Sequence, residues 1–186
     1  MDTDGSPRAH PRNEVPGPRQ AELCFAILVL VTMAYLVLRA IHVPLIHDEA
    51  NSFWWYVRTG EFLPFHAHLD PGNHVLSSFI GWSFHGLFGP HPLALRAGSL
   101  LAALVYAIAC WRLTGTLRSV HVRWMLLAAL LWCPFLLDYF ALFRGYALGI
   151  AMWCWALVEL QQYLLDHRLK HVLLIGCDYN LDQHQH

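Results

Sequence analysis

Four stretches of this chain are apolar over close to the length of a membrane span, and that constrains its fold more than any single motif does. The first, Leu23 to about Ile41, carries Arg39 as its only charged side chain. The others run from Leu93 to Trp111, from Trp124 to about Leu137 or a turn beyond, and from Tyr146 to Leu165. A hydrocarbon core about 30 Å thick takes roughly 20 helical residues to cross. Within it the backbone must satisfy its own hydrogen bonds, so such runs fold as helices. The expected fold class is therefore all-α, a polytopic membrane helical bundle of about four transmembrane helices. Composition agrees, with 56% hydrophobic and only 13% charged residues. A formal net charge of -1 and the lack of a lysine- or arginine-rich run exclude a nucleic-acid partner.

Residues 1–22 are polar and proline-rich and read as a flexible cytoplasmic tail. The apolar run that follows has no small-residue cleavage site, which makes it a retained signal anchor. Residues 23–165 form the transmembrane region, and 166–186 hold the start of a fifth apolar stretch, "HVLLIGC", that gives way to polar residues. All five cysteines fall in apolar stretches, so no disulfide framework is indicated. Arg112, Arg118 and Arg123 lie between the second and third runs, and His167, Arg168 and Lys170 follow the fourth. By the positive-inside rule those ends face the cytoplasm and the loop 42–92 faces outward. Arg39, near a helix end, can snorkel to the interface.

An outer loop of this length is functional or disordered, and its aromatic content argues for function. "NSFWWYVRTG" suits a short helix in the headgroup region. "HVLSSFIGWSFHGLFG" is short and broken by glycine, as expected of a juxtamembrane or re-entrant helix, the alternative being a true span that would put every later loop on the other side. Just before the aromatics stand Asp48 and Glu49, for which two readings are compatible. Asp48 is the N-cap of the interfacial helix, with Glu49 favoured by its dipole, or Asp48 is a general base that takes a proton from an attacking hydroxyl.

Further polar clusters accompany this pair. "FHAHLDPGNH" gathers His66, His68, Asp70, Asn73 and His74, a ligand-rich set that leaves a divalent metal open but matches no closed zinc pattern. A solvated turn with interfacial histidines is the favoured reading there, with Asp70, Asn73 and His74 as candidate contacts to acceptor or donor phosphate. "DYFALFRGYALG" joins the third and fourth runs on the same outer side as Asp48. Its Arg144 either anchors a helix at headgroup level or grips a lipid-linked phosphate through its planar fork, with Tyr146 beside it in the candidate substrate site. Arg96, in "PLALRAGS", has the same two readings, the structural one favoured.

Taken in order, "HDEA", an aromatic interfacial helix, "LDPGNH", "LFGPHPLALRAGSLLAAL" and "ALFRGYALG" resemble the N-terminal part of the GT-C membrane glycosyltransferases. The bacterial family-39-type enzymes, related to protein mannosyltransferases and aminoarabinose transferases, are the most similar branch. The resemblance implies an enzyme that transfers a sugar, with inversion, from a polyprenyl-phosphate donor to a lipid, glycan or protein acceptor outside the cytoplasm. It implies Asp48 as catalytic base, Glu49 as a catalytic neighbour that positions the acceptor or a metal, and Arg144 as a contact to the donor phosphate. It also implies a multi-pass place in a bacterial inner or plasma membrane, and many more helices than are present, so the chain reads as a truncated member. No glycine-rich nucleotide loop is present, in keeping with a lipid-borne donor. The competing expectations are a non-enzymatic membrane subunit whose aromatic loop docks a partner, and a metal-binding membrane protein using His66, His68 and His74.

Overall fold

The computed structural model describes residues 17–69 and 73–166. Asp70, most of the N-terminal tail, the basic residues after the fourth run and the fifth apolar stretch lie outside the described residues. Among the described residues there are seven α-helices and no strand: α1 Pro18–His42, α2 His47–Ser52, α3 Val75–Phe88, α4 Pro92–Thr114, α5 Val120–Leu131, α6 Pro134–Ala141 and α7 Tyr146–Asp166.

Local chemistry sets the breaks between them. Proline opens α1, α4 and α6 at a position where its missing N–H costs nothing. Helix α1 stops where Val43 is forced to extended backbone by Pro44. Helix α2 runs on as a π-helical turn, Phe53–Val57, and the chain leaves it through Gly60 at φ 74°. Gly89, at φ 77°, ends α3. Between α5 and α6 the chain bends by 48° at Pro134, so the expected third span is a broken pair rather than one straight helix.

Helix α4 is central, and α1, α3, α5, α6 and α7 all pack on it. Its buried face is rich in small residues, among them Ala94, Gly98, Ser99, Ala102, Ala103 and Ala107. Small side chains let backbones approach closely, as in helix pairs within a bilayer. Gly98 shows this directly, because a Cβ there would meet Ile80 Cγ2 of α3 at 3.0 Å.

The outward faces are apolar as well. Leu23, Leu30 and Leu38 on α1 and Met152, Trp153 and Leu164 on α7 are exposed. Among the described residues three helical stretches are long and apolar enough to cross a membrane, namely Arg19–His42, Pro92–Thr114 and Tyr146–Leu165, and a fourth results if α5 and α6 are one bent span. The exposed leucines and aromatics on these helices form the surface that lipid would cover.

Contacts fix the relative directions. At one end Phe25 stacks on Trp111 with centroids 4.5 Å apart, and Gln161 Nε2 donates to the carbonyl of Leu113 at 3.2 Å and to Thr116 Oγ1 at 2.7 Å. At the other end Arg39 pairs with Asp138 at 2.5 Å, and Ser99 Oγ donates to the carbonyl of Leu142 at 2.6 Å. Helices α4 and α7 thus run one way, while α1 and the α5–α6 pair run the other. The described residues of segment 43–91 and the short 142–145 link share one end of the bundle, and Arg112, Arg118 and Arg123 share the opposite end.

Candidate functional site

The two adjacent carboxylates have different surroundings. Glu49 is fully buried against Arg96, which is also fully buried. Arg96 Nε donates to Glu49 Oε1 at 2.8 Å and Nη2 to Oε2 at 2.6 Å, a bidentate fork. The remaining N–H groups of Arg96 go to backbone carbonyls, with Nη1 reaching Ala40 at 2.7 Å and Val43 at 2.9 Å, and Nη2 reaching Pro44 at 3.2 Å. All five guanidinium donors are therefore occupied, and Arg96 has none left for a substrate.

Glu49 in turn accepts from the backbone N–H of Ile46 at 3.1 Å and of Phe143 at 2.5 Å. The first bond makes Glu49, at the third position of α2, the residue that caps this helix. The N-cap position belongs to Ile46, which has no polar side-chain atom, so the expectation that Asp48 is the N-cap is corrected. The second bond ties α2 to the link before α7. Together the pair joins the end of α1, the start of α2, α4 and the 142–145 link.

Asp48 therefore faces outward from a fixed backbone. Its side chain is 63% exposed, and Oδ2 accepts from Arg144 Nη2 at 2.7 Å. Arg144 Nε is buried and has no partner. The pair stands over a cleft of about 250 Å³ lined by Asp48, Ser52, His74, Ser77, Arg144 and Tyr146, among others.

A larger apolar groove of about 730 Å³ adjoins this cleft, and His74, Gly145 and Tyr146 line both. Ile150, Trp153 and Leu157 extend it along α7, and Tyr139 of α6 lines it as well. Gly145 is required at the junction, because a Cβ there would collide with the His74 imidazole. His74 also meets the Tyr146 ring edge-on, with centroids 4.9 Å apart.

The other sequence candidates are spread more widely. Asn73 Nδ2 donates to the carbonyl of Phe62 at 3.0 Å and its Oδ1 accepts from Ser78 Oγ at 3.4 Å, which ties the segment around Phe62 to the start of α3. His68 stacks on Trp55 with centroids 4.3 Å apart, away from the His74 contacts. No group of three or more His, Cys, Asp or Glu residues converges among the described residues. Two features went unread in the sequence. Ser77 and Ser78 are buried on α3, and serines inside an apolar helix were an available signal. Arg39 is held by Asp138 and by Tyr35 Oη at 3.1 Å rather than snorkelling alone, a pairing that no local pattern announces.

Comparison with protein-family models, with curated proteins and with solved structures gives no match.

Proposed function

We propose that this chain is a multi-pass membrane protein with segment 43–91 on the outer side, and that it serves glycosyl transfer from a polyprenyl-phosphate donor to an extracytoplasmic acceptor. One observation carries the reading: a polar cleft holding the Asp48–Arg144 pair opens into an apolar groove along a helix of spanning length. A donor with a charged phosphate, a sugar and a long hydrocarbon tail needs such a combination, and a water-soluble nucleotide sugar does not. The resemblance of "HDEA" and "ALFRGYALG" to the GT-C motifs supports the same assignment.

In this mechanism Asp48 removes the proton of the acceptor hydroxyl as its oxygen attacks the anomeric carbon. The carbon–oxygen bond to the phosphate breaks on the opposite face, and the configuration inverts. Polyprenyl phosphate leaves as an anion whose charge is met by Arg144. His74 and Tyr146 border the sugar at the junction of cleft and groove, with Asn73 beside His74 fastening the chain to α3. Glu49 and Arg96 hold this arrangement from below, in a supporting role.

The test is transfer of a labelled sugar from its polyprenyl-phosphate carrier in membranes containing the chain, against Asp48→Asn. Transfer by the wild type and its loss in the variant are expected. Wild-type transfer by well-folded Asp48→Asn protein would remove Asp48 as the base.

A docking role for the outer loop is the second reading, and Phe65 and Leu69 favour it, being 95% and 90% exposed. Under that reading Asp48→Asn changes nothing, while Phe65→Ser with Leu69→Ser releases the partner.

A further inference from the structure

The Asp48–Arg144 contact joins the proposed base to the proposed phosphate ligand, two groups that the reaction needs apart. A carboxylate oxygen already accepting from a guanidinium at 2.7 Å is occupied where it would take the hydroxyl proton, and a guanidinium already holding a carboxylate is a poor anion site. Both backbones are fixed by the same buried pair: Glu49, next to Asp48, holds the N–H of Phe143, next to Arg144. The side-chain tips are not fixed in this way. Asp48 is mostly exposed, so water can replace its lost partner at little cost. Arg144 lines the cleft and its buried Nε has no partner, so the guanidinium is not saturated by its contact with Asp48.

From these observations we infer that Arg144 is an exchangeable cation: a phosphoryl anion entering the cleft takes the guanidinium from Asp48, and anion binding frees the carboxylate in the same event. The phosphoryl group takes two N–H groups of the guanidinium together, the bidentate geometry for which guanidinium is suited. The hydroxyls of Ser52 and Ser77 line the same cleft and suit the remaining phosphoryl oxygens. The consequence is an order of events, since the base becomes competent only after the anion has bound. The inference rests on the reading of Arg144 as a phosphate contact, and it adds that Asp48 competes for it.

Competition makes an unusual demand, namely that removing a carboxylate from the site must tighten anion binding. The experiment measures the dissociation constants of decaprenyl phosphate and, separately, of inorganic phosphate for the purified chain in nanodiscs, comparing wild type with Asp48→Asn. An exposed pair of this kind is worth enough that Asp48→Asn should bind about three- to fivefold more tightly. Arg144→Gln should weaken binding about tenfold or more and abolish the effect of Asp48→Asn in the double variant. Tightening for the lipid phosphate alone identifies a lipid headgroup as the ligand, and tightening for inorganic phosphate alone identifies a soluble one. Both support the exchange.

Equal or weaker binding of both probes by Asp48→Asn overturns it, as does absence of binding by the wild type. A second readout needs no variant at position 48: in wild-type protein labelled with nitrogen-15 in arginine, the Arg144 Nε–H resonance should shift on phosphate addition, and an unmoved resonance counts against the exchange. Failure here is separable from failure of the glycosyl-transfer reading. Lost transfer in Asp48→Asn with unchanged affinity sinks only the exchange, whereas tighter binding by a chain that transfers no sugar sinks only the reaction.

Discussion

Glu49 and Arg96, 47 residues apart in the chain, meet through two hydrogen bonds of 2.8 and 2.6 Å with both side chains fully buried. Every other donor of Arg96 goes to a carbonyl between Ala40 and Pro44, and Glu49 also accepts from Ile46 and Phe143. Helix α2, which carries Asp48, and the link that carries Arg144 are thus hung on one buried ion pair.

Breaking that pair from either side should be costly. Glu49→Gln and Arg96→Leu each leave an uncompensated buried charge or a set of unpaired carbonyls and should lose about 3–5 kcal/mol of stability. Arg96→Lys should rescue little, because an ammonium cannot span both carboxylate oxygens and three carbonyls. Thermal unfolding in detergent measures this, and a wild-type midpoint for Arg96→Lys would show that the fork geometry is dispensable.

Gly145→Ala should destabilise by about 1–3 kcal/mol, the usual cost of overpacking, because the new methyl collides with His74. Combining it with His74→Gly, which also removes the Cβ that the new methyl would meet, should recover part of that loss. A double-mutant cycle gives the coupling, and strictly additive effects would mean that the two residues do not press on each other.

If segment 43–91 lies outside, Thr59→Cys in otherwise cysteine-free protein should react with an impermeant maleimide added to intact cells. Ser119→Cys, at the opposite end of the bundle beside Arg118 and Arg123, should react only after permeabilisation. The reverse pattern would place the carboxylates in the cytoplasmic compartment.

Asp48→Asn should fold normally, because Asp48 supplies no cap and its carboxylate is mostly exposed. Sugar transfer should nonetheless fall about a hundredfold or more, the usual scale of a lost general base. Arg144→Lys keeps the charge but not the fork, so donor affinity should drop about tenfold with the unfolding midpoint unchanged. Unaltered affinity in Arg144→Lys would reduce Arg144 to a helix anchor.

Much of the architecture could be read from neighbouring residues alone. Apolar runs of spanning length, the prolines at helix starts and the glycines at turns are local signals, because hydropathy and backbone preference act over one or a few turns. So were Asp48 and Arg144 as candidates, each standing in a polar cluster at the end of an apolar run. The role of Glu49 was not legible, since its partner Arg96 lies in another helix and nothing in "HDEA" distinguishes the buried carboxylate from the exposed one. The pairing of Asp48 with Arg144, 96 residues apart, depended likewise on the packing of α7 against α4. Only the folded backbone sets which of two adjacent side chains enters the protein and which faces the cleft, because that choice follows from helix rotation and close contact between distant segments.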